Sequence, residues 1–437
     1  MHEDDSPDPF GYKSHRTAVC EACGKRLPTE SDPAIVWGHS LDGQGYSAYC
    51  EPCAGKLPVK VVARVVPGPD PALRRPAPRP PTPRSPAPPL PAPPLPAPPS
   101  PQKSPAPSQP SAVAHVSITD AVADRIRGTL YGQAIGDALG LGTEFLSKSD
   151  VAAYYPNGLS DYEQIVGDEF RSRWYRGDWT DDTDQMLCIL DSLLEHCGVV
   201  PADIAERFFA WACDDGLGMG FTFEAVVYAP EFLSDPHAAA RRLWELGGRR
   251  SAANGAVMRT SVLGVWDLGD PEKVRRNAES VSRITHFDPR CVASCVAASL
   301  AIAALVGGAT VESAIGAAAE SAESYQAGLG DWLAAAGTRS LEELDLDEGL
   351  NPGESDTIGY TLKALGAGFW ALSQAASFAE GVVRVVNEGG DGDTNAAVAG
   401  ALLGARDGFS AIPGRWVSGL VYEGDLRERV ERLLSVL

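Results

Sequence analysis

Beyond residue 115, apolar residues recur at helical spacing. Ile118, Val122, Ile126 and Leu130 fall every four positions, as do Ile204 with Phe208, and Leu362 with Gly366 and Trp370. That period lays one stripe of each helix against a core. Met186, Leu187, Ile189, Leu190, Leu193 and Leu194 make a similar stripe. The run 395–405 is dominated by alanine and glycine and predicts a helix that lies unusually close to a neighbour. Strictly alternating stretches are scarce. Residues 115–437 are therefore expected to form one compact all-α domain.

The pattern changes ahead of that domain. Residues 67–110 contain 21 prolines in 44 positions. Proline removes the backbone donor and fixes φ, so neither helix nor sheet is expected. The stretch 61–114 reads as an extended proline-rich linker, a spacer of polyproline II character. Residues 15–60 read as a separate small module. Within it, 34–37 and 46–49 predict short strands on either side of an Asp42-Gly43 turn.

Cysteine spacing gives that module a chemistry. Cys20 and Cys23 form one pair, Cys50 and Cys53 another, with 26 residues between. Four thiolates so spaced suit one structural Zn²⁺ in a ribbon-like fold, and a module this small would depend on the metal to fold. A protein partner gripped through this module is one role open to it. The remaining cysteines, Cys188, Cys197, Cys213, Cys291 and Cys295, lie in helical pattern and read as small buried hydrophobes.

Charge narrows the classes. The chain of 437 residues carries a net −21. Up to residue 110 there are 12 basic and 10 acidic side chains, and beyond it 25 and 48. So acidic a body disfavours nucleic acid as a partner. The most apolar run, 292–306, is shorter than the ~20 residues a bilayer span needs, so no membrane association is expected. The acidic start, Met1 to Asp5, resembles neither a signal nor a transit peptide, and a cytoplasmic protein is expected.

Two acidic clusters carry the candidate chemistry. Thr180, Asp181, Asp182, Thr183 and Asp184 stand just before the Met186 stripe. Consecutive residues on a helix splay apart, so these oxygens converge only at a loop-to-helix entry. An ordinary acidic N-cap is the plainer reading of this cluster alone. The second cluster, Asp391, Asp393 and Thr394, comes after Gly389 and Gly390 and again precedes a small-residue helix. A calcium loop is ruled out, because Ala396 and Leu402 stand where it needs Gly and Glu. If the clusters face each other, four carboxylates and two hydroxyls converge. All-oxygen ligands suit Mg²⁺ or Mn²⁺, and two such ions would relieve the repulsion.

These motifs, taken in order, resemble the ADP-ribosylglycohydrolase family. The likeness spans nearly all of residues 125–420. It runs through Gly128, Gly132, Gly136, Asp137 and Gly140, then Glu144, the Trp179 to Thr183 cluster, Asn254 to Arg259, Thr285-His286, and Asp391 to Thr394. The resemblance implies an all-α fold with two Mg²⁺ or Mn²⁺ held by Thr180, Asp181, Asp182, Asp391, Asp393 and Thr394. It places Glu144 on a flap over the site, with Glu144, Asp182 and Asp393 as catalytic residues. It assigns Asn254, Gly255, Ala256 and His286 to ADP-ribose binding. The reaction implied is hydrolysis of the glycosidic bond between ADP-ribose and a modified protein side chain or small molecule. A catalytically inactive ADP-ribose-binding or structural protein of the same fold is the alternative. The sequence departs from the family's arginine-type members at one point. Gly218 stands where they carry an acidic residue, and Asp214 and Asp215 lie upstream. The general base is then either Glu144 or an aspartate near 214. Asp137 is expected to cap a helix or brace the ligands, and Arg259 to form a buried ion pair.

Overall fold

The computed structural model describes residues 118–350 and 358–437 and, ahead of them, three short strands. These are β1 (Ile35–His39), β2 (Tyr46–Cys50) and β3 (Val61–Arg64), antiparallel in the order β2-β1-β3. The β1–β2 register pairs Ile35 with Cys50 and His39 with Tyr46. The two expected strands thus appear, and β3 joins them from within the stretch assigned to the linker. Cys20, Cys23 and Cys53 lie outside the described residues, and Cys50 is described only as the last position of β2. The rest of the 61–114 stretch also lies outside them.

From residue 118 onward the fold is all-α. In chain order the longer helices are α1 (Asp120–Gly140), α2 (Lys148–Tyr154), α3 (Asp181–His196), α4 (Pro201–Asp214), α5 (Phe221–Val227), α6 (Pro236–Leu246), α7 (Ser261–Trp266), α8 (Pro271–Ser282) and α9 (Pro289–Val306). They continue as α10 (Val311–Glu323), α11 (Leu329–Ala336), α12 (Thr361–Gln374), α13 (Phe378–Val386), α14 (Gly392–Asp407), α15 (Gly414–Gly419) and α16 (Glu423–Val436). Among the described residues after 118, strand-like pairing is confined to the isolated bridges Leu146–Gly390 and Ala253–Tyr360.

The centre is the pair α1 and α14, antiparallel and in closer register than any other helices here. Along α1, Gly128, Gly132, Gly136 and Gly140 repeat every four residues and face the carbonyls of Gly404, Gly400, Ala396 and Gly392. A Cβ at any of the four would come nearer than 3.0 Å to that backbone, a distance real Cβ atoms do not reach. Four helical glycines cost about 0.5–1 kcal/mol each in conformational entropy. The tight contact of two backbones, and the burial of every residue from Gly128 to Gly140, offsets that cost. The four-residue stripe starting at Ile118 is visible only in the first turns of α1. From Gly128 onward the helix is buried on all sides, with α12, α13 and α9 packed around the central pair.

Helix α9 corrects the length argument made for the 292–306 run. It has 18 residues and a mean hydropathy of 1.8, enough by length and composition to cross a membrane, yet 78% of that window is buried within the fold against α7, α8, α10 and α14. It is a core helix. Two of the five cysteines read as buried also differ: Cys197 and Cys213 are exposed, while Cys291 and Cys295 are buried and Cys188 is partly so.

Gly136→Ala is expected to destabilise the protein by about 1–3 kcal/mol, since its Cβ meets backbone that can only move as a whole helix. Gly316→Ala, in α10 with open space around it, is expected to stabilise by about 0.5–1 kcal/mol. Denaturant titration of both variants checks this, and a neutral Gly136→Ala would refute the close-packing account.

Candidate active site: a buried carboxylate cluster

One helix end and two helix entries meet at one end of the α1–α14 pair. Gly140 ends α1, and the chain turns through Thr143 to Glu144. Asp181 begins α3. Asp391 precedes α14, where Gly392 sits against the Gly140 carbonyl and Thr143. The chain reaches Asp391 through Gly389 and Gly390, both at left-handed φ (75° and 73°). There the backbone passes the Leu146 and Leu346 carbonyls too closely for a side chain.

The two clusters do face each other. Thr180 Oγ1 lies 3.2 Å from Asp393 Oδ2 and 3.4 Å from Asp182 Oδ2. Thr394 Oγ1 lies 3.4 Å from Asp182 Oδ2. The N-cap explanation fails on geometry. Thr180 and Asp391 occupy the N-cap positions of α3 and α14, yet neither side chain accepts from a backbone N–H of its own helix. Thr180 turns to the cluster, and Asp391 Oδ2 accepts from Asn254 Nδ2 at 2.8 Å. The free N-terminus of α3 is satisfied by α1. Asp137 Oδ1 accepts from the Thr180 amide and hydroxyl at 2.9 Å, and Oδ2 from those of Thr183 at 3.0 and 2.6 Å. Asp137 is therefore the brace of the site, as one of its two expected roles had it.

Glu144 joins the cluster rather than standing apart from it. Its carboxylate, with those of Asp391 and Asp393, offers oxygens within 4.8 Å of one another, the geometry of a cation site. Its backbone is fastened on both sides. Phe145 N donates to the Gly390 carbonyl at 2.7 Å, and buried Arg171 donates to the carbonyls of Gly142 and Glu144.

Burial pushes these carboxyls up. Asp181, Asp182, Asp391 and Glu144 are held well above the usual carboxylate range, first by loss of water and then by one another's charge. Asp393 is raised and Asp137 is pushed up to about 7, in both cases chiefly by burial. Among the described residues, no Lys, Arg or His forms an ion pair with any of these carboxylates. Asp182 Oδ1 and Glu144 Oε2 are buried with no hydrogen-bond partner. Unpaired anionic oxygens so buried cost several kcal/mol unless a cation meets them. An all-oxygen set of carboxylates and hydroxyls is the donor set of Mg²⁺ or Mn²⁺, so the residues fit such ions.

The substrate-side residues lie next to this cluster. Asn254 binds Asp391 through its side chain and the Gly359 carbonyl through its amide at 2.8 Å. Ala256 is fully buried. His286 is buried behind the turn, its ring so near Gly255 that a Cβ there would stand 3.0 Å from Cε1. Burial, and the Arg259 charge, push its imidazole down to about 3, so it is neutral. Gly218, at left-handed φ 92°, passes Asp181 so closely that a Cβ would stand 2.8 Å from Oδ1. Asp214 and Asp215 are exposed on the preceding turn. Arg259 forms no ion pair among the described residues. It donates instead to Gln185 and Thr285, which corrects the expected ion pair. Gln185, which donates to Asp181 Oδ2 at 2.9 Å, is a site residue the sequence reading missed. Its place four residues after Asp181, on the same helical face, was the available signal.

An all-α body with a buried, all-oxygen carboxylate centre at helix entries is of the class that could hold hard divalent cations. Comparison with known proteins gives the family. The ADP-ribosylglycohydrolase family model matches residues 118–437. The ADP-ribosyl-(dinitrogen reductase) glycohydrolase of Rhodospirillum rubrum is 28% identical over 320 residues, 72% of this chain and 97% of its own length. The ADP-ribosylarginine hydrolase Tri1 of Serratia proteamaculans is 25% identical over 311 residues, 71% of this chain and 79% of its own. A solved structure described as an ADP-ribosylglycohydrolase-related protein complex aligns with a TM-score of 0.55 at 27% identity, covering 72% of this chain and 98% of that one. The chain belongs to the ADP-ribosylglycohydrolase family.

Proton linkage makes the buried charge testable. The cluster's carboxyls hold protons more tightly folded than unfolded. The stability they contribute is fully present below the unfolded carboxylate value of about 4 and is lost as pH rises through the folded values. In the presence of EDTA, Asp182→Asn is expected to raise the Tm more at pH 8 than at pH 5. Excess Mn²⁺ is expected to stabilise the wild type more at pH 8 than at pH 5. Thermal melts with equal gains at both pH values would refute the buried-charge account.

Proposed function

We propose that this chain hydrolyses the glycosidic bond joining the distal ribose of ADP-ribose to an acceptor, and releases ADP-ribose. One observation carries the reading: six carboxyls, all but Asp391 buried and two with unpartnered oxygens, converge in a fold of this family, and among the described residues no cationic side chain pairs with them. Thr180, Asp181, Asp182, Asp391, Asp393 and Thr394 would hold two divalent cations, Mg²⁺ or Mn²⁺. When bound, these cations supply Lewis acidity for ribose hydroxyls and a water of lowered pKa. The protein's own residues do the rest. Asp137 fixes the α3 entry from which Thr180, Asp181 and Asp182 project. Asn254 orients Asp391 and sets the turn through Gly255 and Ala256 that borders the nucleotide. Glu144, a buried carboxyl of the cluster whose Oε2 has no hydrogen-bond partner, accepts a proton. Carboxylates around the anomeric carbon favour the positive charge that develops as the bond breaks.

The acceptor side carries its own signal. The names of the two relatives describe dinitrogen reductase and arginine as what those proteins act on. In this chain the backbone at Gly218, with no side chain, borders Asp181, and the nearest acids on that turn are exposed. No carboxylate at 218 would pair with a guanidinium leaving group. The acceptor is accordingly proposed as a class wider than arginine.

The test is to incubate the full-length protein and Mn²⁺ with substrates carrying ADP-ribose on Arg, Ser, Asp/Glu and nucleic acid, and to measure free ADP-ribose. At least one substrate is expected to release it. Asp182→Asn and Asp393→Asn are expected to lower release more than about 10²-fold while keeping the fold. Binding of ADP-ribose with no release from any substrate would make the protein a reader rather than a hydrolase.

We also propose that Cys20, Cys23, Cys50 and Cys53 hold one Zn²⁺, on the strength of their spacing and of Cys50 ending a strand in the small sheet. Elemental analysis is expected to find one zinc per chain, lost in Cys20→Ser/Cys53→Ser. Full zinc content in that variant would refute it.

A further inference from the structure

Arg259 is one of the largest fully buried side chains, and the catalytic proposal leaves it unused. It ends the short helical turn Val257–Arg259, directly after the Asn254 turn. Its guanidinium lies over the Phe208 ring at 4.3 Å and near Phe223 at 5.4 Å. One amino group donates to Gln185 Oε1, the other to Thr285 Oγ1 at 2.5 Å. A buried cation held only by neutral partners is costly, and hydrophobic packing alone would be served better by Met or Leu.

The directions of these hydrogen bonds show what the charge does. A guanidinium only donates, so Gln185 must turn its oxygen to Arg259 and its nitrogen to Asp181 Oδ2, 2.9 Å away. Were the amide reversed, two oxygens would face each other at a ligand carboxylate. On the other side, Thr285 Oγ1 accepts from Arg259, and among the described residues the one acceptor in reach of its own proton is His286 Nδ1 at 2.7 Å. That assigns the tautomer: His286 is neutral, with its proton on Nε2. Nε2 lies at the Gly255 turn, 3.1 Å from where a Cβ would be.

We infer that Arg259 is a positioning residue that sets both halves of the site at once: it fixes Gln185 so that Asp181 receives a donor, and it fixes His286 as an Nε2–H donor toward the Asn254–Gly255 turn and its ligand. The inference builds on the proposed ADP-ribose chemistry. It adds a single buried charge behind the site that dictates hydrogen-bond polarity in two directions.

The test uses the full-length chain. Mn²⁺ affinity is read by titration with electron paramagnetic resonance, and ADP-ribose affinity by calorimetry at saturating Mn²⁺. The His286 tautomer is read from its ring ¹⁵N shifts. Gln185→Leu is expected to weaken Mn²⁺ by roughly tenfold, the scale of losing a group that orients a metal ligand, and to leave the tautomer unchanged. Thr285→Val is expected to leave Mn²⁺ affinity unchanged, to lose the pure Nε2–H signature, and to weaken ADP-ribose severalfold. Arg259→Lys, whose ammonium lacks the planar fork, is expected to show both effects. If that variant fails to fold, the other two decide. Wild-type Mn²⁺ affinity in Gln185→Leu, or an unchanged tautomer in Thr285→Val, overturns the inference. If the wild type itself binds no ADP-ribose, the hydrolase proposal fails, while the Mn²⁺ and tautomer readings still judge Arg259.

Discussion

The two acidic entries can share one site only because α1 and α14 touch backbone to backbone. Gly140 lies against Gly392, and that contact brings the end of one helix beside the start of the other. Any side chain in the stripe would separate them, and Glu144 would leave Asp391 and Asp393. The same contact sets Asp137, one residue past Gly136, where its carboxylate reaches the α3 entry. Helix packing and ligand geometry are here a single constraint.

Much of this was legible from residue order. The alanine- and glycine-rich run 395–405 predicted close helix contact. The two threonine–aspartate clusters suggested ligands if they faced each other, with an acidic N-cap as the other reading of the first. What could not be read was direction. Whether Thr180 bonds its own helix or faces Asp393 depends on what else satisfies the α3 entry, and Asp137 is 43 residues away in sequence. Arg259 reads as half of an ion pair because buried arginines usually are. Its actual partners are the neutral Gln185 and Thr285, 74 and 26 residues away. The cysteine reading erred for a simpler reason: Cys197 and Cys213 fall at or beside helix ends, where a pattern of apolar spacing no longer reports burial.

The acidity of the body looks at first like an obstacle to an anionic substrate. The structure separates that charge into two kinds. Most acidic side chains are solvated or paired with arginines on helix surfaces, such as Asp191 with Arg429 and Asp203 with Arg207, where each pair contributes little. The carboxyls of the cluster are withdrawn from water and unpaired, and they define a place where positive charge is needed rather than one where negative charge accumulates. Divalent cations in that place would offer an anionic ligand positive charge, while exposed acids farther off than a Debye length of about 8–10 Å are largely screened.

Glycine on both faces of the α1–α14 contact also limits how such a chain can drift. A bulky residue on one helix is ordinarily tolerated if the facing residue shrinks, but at Gly132 and Gly400 there is nothing left to shrink. Inserting one residue in α1 between Gly136 and Gly140 would rotate the last turn of the helix by about 100° and swing the Glu144 segment off its partner. Length variation is thus excluded from these two helices, because the register that sets Gly140 beside Gly392 would be lost with it.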